Sequence, residues 1–193
     1  MTVLTDYEII SLSSNNQMVV PFDPNLIKTK KDDDGIERSA TVLVQPASLD
    51  IRIGLTAKRL LPPDHADFDP NTPRFKDIDF SNFSEKHPYL FMPGERLLVA
   101  SLETFNMPKS VCAQVVMRST PARAFIQHIN AGWIDPGWHG SVLTMELVNW
   151  GHTPFALYPG LSITQIVFHW LNDVPTTVYY GKYNGDRTVE GGK

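Results

Sequence analysis

The chain has 193 residues, 42% hydrophobic and 20% charged, which is the range of a single globular domain with its own core. Its formal net charge of -4 argues against a protein that mainly coats DNA or RNA, because such surfaces are strongly basic. Cys112 is the single cysteine, which excludes an internal disulfide and a Cys-rich zinc site.

The first ten residues carry Asp6 and Glu8 where a signal peptide has basic residues. No apolar run approaches the roughly 20 residues that cross a bilayer. We therefore expect a cytoplasmic protein with neither a membrane nor a nucleic acid as partner. A small polyanion bound in a local basic pocket remains compatible with the charge.

The segment from Thr5 to Glu8 has the spacing of a capping box, in which Thr5 accepts from a first-turn amide and Glu8 reaches back to the cap. It predicts a short N-terminal helix. The run 28–37 that follows breaks any regular pattern, and its charge-dense part, 30–35, is interpreted as a solvated loop.

From Ala40 onward, short β-rich segments are separated by Pro-Gly turns, with no βαβ alternation. The predicted strands are 41–44, 49–53, 96–102, 111–117, 125–129, 142–148, 155–158 and 163–170. The pattern predicts an all-β barrel or sandwich, and residues 62–88 are interpreted as a long excursion from the sheet.

The C-terminal segment 176–193 combines aromatic and basic side chains with four glycines. One interpretation is a frayed terminus. The other is a mobile lid of the single domain 1–193, which closes over an anionic ligand and excludes water.

The block from Arg118 to Arg123 directly follows the predicted strand 111–117. Thr120 and Pro121 are a good N-cap and first-position pair for a helical turn. Such a turn can hold a phosphate chain against its amides, its hydroxyls and the two guanidinium groups. The alternative is a capped surface turn whose arginines are merely solvated.

The sequence Asp135-Pro136-Gly137 matches a β-turn with glycine at the position that requires positive φ. Just before it, the small residues Ala131 and Gly132 allow a ligand ring to approach the backbone. The turn is therefore interpreted either as purely structural or as the edge of a binding site.

Glu146 lies on the face of the predicted strand 142–148 that also carries Val142, Thr144 and Val148. A carboxylate among apolar neighbours suits a general acid and base. The alternative is an ion pair with an arginine such as Arg123.

Several familiar sites are absent from the sequence, including the phosphate-binding loop, the dinucleotide fingerprint and the zinc-deaminase signature with its Pro-Cys-x-x-Cys. The histidines lack metal-ligand spacing and are interpreted as structural. They are His128, His139, His152 and His169.

The chain resembles the deoxycytidine triphosphate deaminases of the trimeric dUTPase superfamily in three motifs that occur in the same order. These are Arg118-Ser-Thr-Pro-Ala-Arg123, Ala131-Gly-Trp-Ile-Asp-Pro-Gly-Trp138 and Glu146. The resemblance extends over most of the chain. It includes Ser48-Leu-Asp-Ile-Arg-Ile-Gly54, Pro93-Gly-Glu95, Pro159-Gly-Leu-Ser-Ile-Thr-Gln165 and Gly181-Lys182-Tyr183.

The resemblance implies a distorted β-barrel or jelly-roll homotrimer with active sites between subunits, and zinc-free hydrolytic deamination of dCTP to dUTP and ammonia. Glu146 takes the role of the catalytic glutamate, which activates water to attack C4 of cytosine. Ser119 and Arg123 hold the water, the base and Glu146 in register.

For the substrate, the resemblance implies that Arg118, Ser119 and Thr120 meet a triphosphate bridged by Mg²⁺, and that Asp135 binds the 3'-hydroxyl. From the tail, Tyr179, Tyr180 and Lys182 close on the phosphates. Further implied substrate-binding residues are Ala131, Trp133, Thr144, Met145 and Gln165. Many relatives are inhibited by dTTP, which makes it a candidate inhibitor here.

The segment from Ala131 to Asp135 resembles the form found in bifunctional enzymes, which also cleave dUTP to dUMP and pyrophosphate. Asp135 then also orients the water that attacks the α-phosphate. The alternatives are a deaminase alone, a dUTPase alone, or a non-catalytic nucleotide-binding regulator. Between Gly140 and Glu146 the chain has one residue more than is usual, which a β-bulge would absorb.

Overall fold

The computed structural model describes residues 1–23, 27–31, 35, 37–41, 43–61, 75–129 and 131–189. Strands predominate among them. The elements are β1 (Thr2–Val3), α1 (Asp6–Asn16), β2 (Val19–Val20), β3 (Ile27–Lys31), β4 (Glu37–Thr41), β5 (Val44–Gln45), β6 (Ser48–Leu60), β7 (Phe75–Asp79), a 3₁₀ turn (Phe80–Asn82), β8 (Tyr89–Phe91), β9 (Arg96–Asn106), β10 (Val111–Met117), α2 (Ser119–Arg123), β11 (Ile126–His128), β12 (Trp133–Ile134), β13 (His139–Asn149), β14 (Phe155–Leu157) and β15 (Ser162–Trp170).

Eleven strands form one curled sheet whose main path runs β11-β13-β9-β6-β15-β10-β12. Strands β1, β2, β5 and β7 pair along its length, while β3–β4 and β8–β14 form two separate pairs. The pairings between the described strands are antiparallel. The predicted all-β class is confirmed.

Burial alternates along the long strands, as expected for a sheet with one face against a core. In β13, Leu143, Met145 and Leu147 are buried, while Thr144 and Glu146 are partly exposed. One face of β13 therefore belongs to the core, and the other is available to line a site.

The N-terminal helix is confirmed together with its capping box. The Thr5 hydroxyl accepts from the Glu8 amide, and the Glu8 carboxylate accepts from the Thr5 amide at 2.8 Å. The same carboxylate also accepts from Trp170 Nε1 at 2.9 Å, which fastens α1 to β15.

Two expectations for loops are wrong. Lys30 and Lys31, at the start of the predicted loop 30–35, belong to β3, which pairs with β4 because backbone pairing does not depend on side-chain charge. Residues 75–79 of the excursion form β7, which pairs with β6 because β6 continues to Leu60 and leaves an edge to be filled. Residues 32–34, 36 and 62–74 lie outside the described part of the chain.

The predicted turns are confirmed by their glycines. Trp138 N donates to Asp135 O at 3.3 Å, and Gly137 has a φ of +82°. Gly94 and Gly160 likewise have positive φ, at +78° and +85°. These angles favour glycine because a Cβ strains the left-handed region.

The helical turn begins earlier than predicted. The N-cap of α2 is Arg118, not Thr120, and it makes no side-chain cap hydrogen bond. Pro121 lies inside the first turn, where its missing N–H costs no intrahelical bond. Arg118 is extended because its amide still donates to Ile163 O, so the sheet fixes where the helix starts.

The pairing of β13 with β9 is irregular in the early part of β13. Register shifts occur between His139 and Ser141 and between Val142 and Thr144. From Thr144 to Val148 the pairing is regular, with Glu146 opposite Leu98. The irregularity thus ends before Glu146, which lies on the partly exposed face of β13.

A buried ion pair lies on β9 beside this irregularity. Arg52 Nε donates to Glu103 Oε1 at 2.6 Å, and the Arg52 amide donates to Oε2 at 3.0 Å. Burial raises the pKa of the Glu103 carboxyl, and the charge and hydrogen bonds of Arg52 oppose that rise. The pair ties β6 to β9 where their ladder is interrupted.

None of the described helices has the length and apolar character needed to cross a membrane.

Candidate active site

A cavity of about 580 Å³ opens between β9, β12, β13 and the C-terminal segment. Its lining combines aromatic rings with carboxylates, the mixture expected for a site that holds a polar ring. The predicted site residues that line it are Ala131, Trp133, Asp135, Thr144, Glu146 and Tyr179. The structure therefore brings the Ala131-to-Glu146 part of the predicted site together.

Trp138, which lines the cavity, stacks on the buried ring of Phe105. The rings of Phe105 and Trp138 are 5.7 Å apart with an interplanar angle of 21°. Trp138 Nε1 donates to Tyr183 O at 3.1 Å, so the ring is fixed by packing on one side and by a hydrogen bond at its edge.

Asp135 lies in the cavity wall with one oxygen engaged. Trp133 Nε1 donates to Asp135 Oδ1 at 3.1 Å, and the Trp133 side chain is half-exposed on the same wall. An ionised carboxylate has room for more than one donor, so Oδ2 can accept from a ligand hydroxyl or a water.

Glu146 meets a histidine that the sequence interpretation treated as structural. Pairing of β11 with β13 places His128 opposite Leu147, and His128 Nε2 lies 3.0 Å from Glu146 Oε2. The His128 side chain is 3% exposed and that of Glu146 is 27% exposed. The contact depends on the register in which β11 pairs with β13, which the sequence alone does not reveal.

The predicted residues Arg118 and Gln165 lie together with Ser48 and Asp50, and these four residues are here called the arginine cluster. Arg118 Nε lies 2.9 Å from Asp50 Oδ2, and its Nη1 donates to Ser162 O at 3.0 Å. Asp50 is 1% exposed; burial raises its pKa, and the charge of Arg118 opposes that rise. Ser48 Oγ donates to Gln165 Oε1 at 3.2 Å.

The two groups are separate within one chain. The described cavity lining does not include Arg118, Ser119, Thr120, Arg123 or Gln165. Arg123 is exposed on α2 and contributes to neither the cavity lining nor the arginine cluster. The predicted site is thus divided into a cavity that carries the carboxylates and a cluster that carries the cationic group.

Three other predicted residues stand apart from the cavity. Met145 is fully buried, and its Sδ accepts from Thr164 Oγ1 at 3.2 Å, so its side chain faces the core. Tyr180 is 86% exposed. The Lys182 ammonium lies 5.2 Å from the centroid of the Tyr183 ring.

The described part of the C-terminal segment lies against the cavity. Tyr179 N donates to Pro136 O at 2.8 Å, and Val142 N donates to Asp186 O at 2.8 Å. Ser141 Oγ donates to Tyr183 O and accepts from Gly185 N, both at 2.8 Å. These bonds bring Tyr179 and Tyr183 into the lining, whereas residues 190–193 lie outside the described part.

Among the described residues, no three His, Cys, Asp or Glu side chains are grouped as metal ligands.

The sequence model of the dCTP deaminase-like family matches residues 23–171. The chain belongs to this family. It is 36% identical over 141 residues to the dUMP-forming dCTP deaminase of Dictyoglomus turgidum, covering 72% of each chain. It is 33% identical over 196 residues to the dUMP-forming dCTP deaminase of Methanopyrus kandleri, covering 96% of this chain and 92% of that protein. The resemblance drawn from the motifs is confirmed.

The fold of this family member is also found in a solved structure. The 2'-deoxycytidine 5'-triphosphate deaminase of Agrobacterium tumefaciens superposes with a TM-score of 0.60 at 22% identity. The match covers 88% of this chain and 48% of that chain. It supports the all-β architecture described above.

Proposed function

We propose that the chain deaminates dCTP to dUTP and ammonia, and then cleaves dUTP to dUMP and pyrophosphate in the same site. The observation that carries this proposal is the presence of Glu146 and Asp135 in one cavity, each with one oxygen held by a neighbouring side chain. The dUMP-forming names of the relatives support the second step.

In the deamination step, Glu146 takes a proton from water, and the hydroxide adds to C4 of cytosine. The proton passes to N3, and a second transfer through the carboxylate releases ammonia from C4. One water is consumed and dUTP remains. Thr144, two residues earlier on the same face, lines the space beside Glu146.

In the second step, Asp135 orients a water toward the α-phosphate and accepts its proton, while the bond from the α-phosphorus to the bridging oxygen breaks. The products are dUMP and pyrophosphate. The same carboxylate also accepts from the 3'-hydroxyl, which places the sugar against Ala131 and Trp133 in the lining.

The triphosphate requires cationic groups, and the described residues that line the cavity of one chain include neither Arg nor Lys. We infer a homotrimer in which the arginine cluster and the exposed Arg123 of one subunit complete the cavity of another. Arg118, Ser119 and Thr120 then meet the phosphates, and Gln165 and the tail residues Tyr179, Tyr180 and Lys182 close the site.

The oxygen donors available in the cavity are of the kind that Mg²⁺ prefers. Asp135 and Asp186 give the cavity carboxylate oxygens, and the triphosphate brings phosphate oxygens of its own. When bound, Mg²⁺ neutralises phosphate charge and stabilises the departing pyrophosphate. A reaction confined to the cytoplasm accords with these substrates.

The proposal is tested by supplying dCTP and dUTP separately with Mg²⁺ and separating the nucleotides by anion exchange. We expect dUMP from both substrates. Accumulation of dUTP from dCTP indicates a deaminase alone, and dUMP from dUTP only indicates a dUTPase alone. Calorimetric binding without any product contradicts catalysis and favours a regulator.

Use of a single site has its own test. In one site, dUTP inhibits ammonia release from dCTP competitively, with an inhibition constant equal to its KM for dUMP formation. The same assay with dTTP measures whether it inhibits. Non-competitive inhibition by dUTP would assign the two reactions to different sites.

A further inference from the structure

We propose that His128 is a positioning residue for Glu146, donating from Nε2 to Oε2 so that Oε1 is presented to the cavity. This inference rests on the proposed function, in which Glu146 activates the water. It gives a specific part in the deamination to a side chain whose spacing in the sequence indicated none.

The backbone fixes both partners. His128 is the last residue of β11, where it pairs with Leu147, and Ile129 N donates to Glu146 O at 2.8 Å. The imidazole therefore projects from the neighbouring strand onto the carboxylate, at a distance of 3.0 Å between Nε2 and Oε2. Because both strands belong to the main sheet, small motions of loops do not alter the contact.

Burial makes the contact selective. The His128 side chain is almost completely buried, and neither Nε2 of His128 nor Oε2 of Glu146 makes a hydrogen bond of good geometry with any described residue, so the 3.0 Å approach of the two atoms is the polar contact open to both. A buried polar atom without a partner is unfavourable, so each atom depends on the other. The two carboxylate oxygens of Glu146 thus become inequivalent.

Other titratable groups share the surroundings of Glu146 without replacing His128 at this oxygen. Arg96, on β9, lines an adjoining cavity together with Glu146. Asp135, Asp186, Tyr179 and Tyr183 line the main cavity. Their charges act on the whole carboxylate, whereas the 3.0 Å contact from His128 is directed at one atom.

The contact with His128 affects the reaction by fixing the orientation of the Glu146 carboxylate. A carboxylate rotates about its terminal bond, and a general base must hold its lone pair within hydrogen-bond distance of the water. Fixing Oε2 leaves Oε1 as the basic atom. A proton carried on Nε2 of His128 supplies that restraint, directed at Oε2.

Two substitutions separate this role from packing. His128→Leu fills the buried space without a donor, and His128→Gln keeps an amide N–H. We expect His128→Leu to lower kcat for dCTP about tenfold or more with KM changed less than about threefold. His128→Gln should recover part of kcat. Formation of dUMP from dUTP, which relies on Asp135, should change less than about threefold in both.

A wild-type rate of dCTP deamination in His128→Leu overturns the inference. So does a parallel loss of both reactions with a lower melting temperature, because that pattern indicates packing alone. If the wild type releases no ammonia from dCTP, the proposed function itself fails, and this inference with it.

A measurement without turnover tests the contact directly. The ¹⁵N chemical shifts of His128 report its tautomer at neutral pH. We expect the proton on Nε2 in the wild type and a change at that nitrogen in Glu146→Gln. A proton on Nδ1 alone, unaltered by the substitution, contradicts the proposal.

Discussion

Glu146 and Asp135 share a cavity but have different neighbours. His128, on a neighbouring strand, contacts one oxygen of Glu146. Trp133, two residues before Asp135, donates from its indole N–H to one oxygen of Asp135. The surroundings therefore suit two separate proton-transfer tasks, and substituting one carboxylate should leave the other reaction operating.

Glu146→Gln should abolish deamination while retaining the shape of the site. We expect ammonia release from dCTP to fall about a hundredfold or more, because an amide cannot accept the proton from water. Calorimetry should show dCTP binding largely unchanged, and dUMP formation from dUTP serves as the matched control. Ammonia release at the wild-type rate would remove Glu146 from the mechanism.

Asp135→Asn should lower dUMP formation from dUTP about a hundredfold, because the variant cannot take the proton of the attacking water. Trp133→Phe is the milder companion, since it keeps the aromatic wall and loses only the N–H that orients Oδ1. Its rate should lie between those of Asp135→Asn and the wild type. An equal dUMP yield in Asp135→Asn would favour a single-activity enzyme.

For single residues, the sequence predicts local conformation and the face of a strand better than it predicts the side chains that a residue contacts. The turn at Asp135 and the face of Glu146 follow from local rules, since turn chemistry and strand alternation are properties of neighbouring residues. The contact of Asp50 with Arg118 joins segments far apart in the chain, and the contact of His128 with Glu146 depends on the register of β11 against β13. No local pattern encodes such pairings.

At the scale of elements, the C-terminal segment depends on the early part of β13. Ser141 lies at the irregularity of the β9–β13 ladder, where its hydroxyl is free to bond to Tyr183 O and Gly185 N. The irregularity thus supplies the attachment point that brings Tyr179 and Tyr183 to the cavity.

Ser141→Ala should release this segment. The loss of two hydrogen bonds is worth about 1–3 kcal/mol of docking free energy. We expect faster proteolysis within residues 176–189 and a higher KM for dCTP, with the melting temperature of the body little changed. Thr177→Ala, an exposed position on the segment, is the control. Unchanged proteolysis and KM in Ser141→Ala would show that the segment is held elsewhere.

The sequence predicts the elements unevenly. Strands β9, β10, β13 and β15 were predicted, because strands that pack one face against the core favour apolar residues at every second position. Strands β3, β4 and β7 were not, since their charged residues resemble loops while the backbone pairing ignores charge. The start of α2 was misplaced because a sheet hydrogen bond at Arg118 outweighs the capping preference of Thr120.

At the scale of the whole molecule, the division of the predicted site has a consequence for assembly. The carboxylates lie in the cavity, while Arg118 stays with Asp50 and Arg123 is exposed on α2. The all-β class follows from the sequence, but the division does not, because it depends on how the sheet curls. The proposed homotrimer with shared sites would bring the two groups together.

Subunit mixing tests this sharing. Arg123→Ala and Glu146→Gln should each be inactive toward dCTP, whereas chains unfolded and refolded together should recover activity. About a quarter of the sites in a random mixture draw both intact groups from different chains. Each variant refolded alone is the control. No recovery, with mixed trimers verified by native mass spectrometry, would place both groups in one subunit's site.

The most direct test of the account is the stoichiometry of products when the wild-type protein is incubated with dCTP and Mg²⁺. The proposed pair of reactions predicts one ammonia, one pyrophosphate and one dUMP for each dCTP consumed. Release of neither ammonia nor pyrophosphate from dCTP would contradict it.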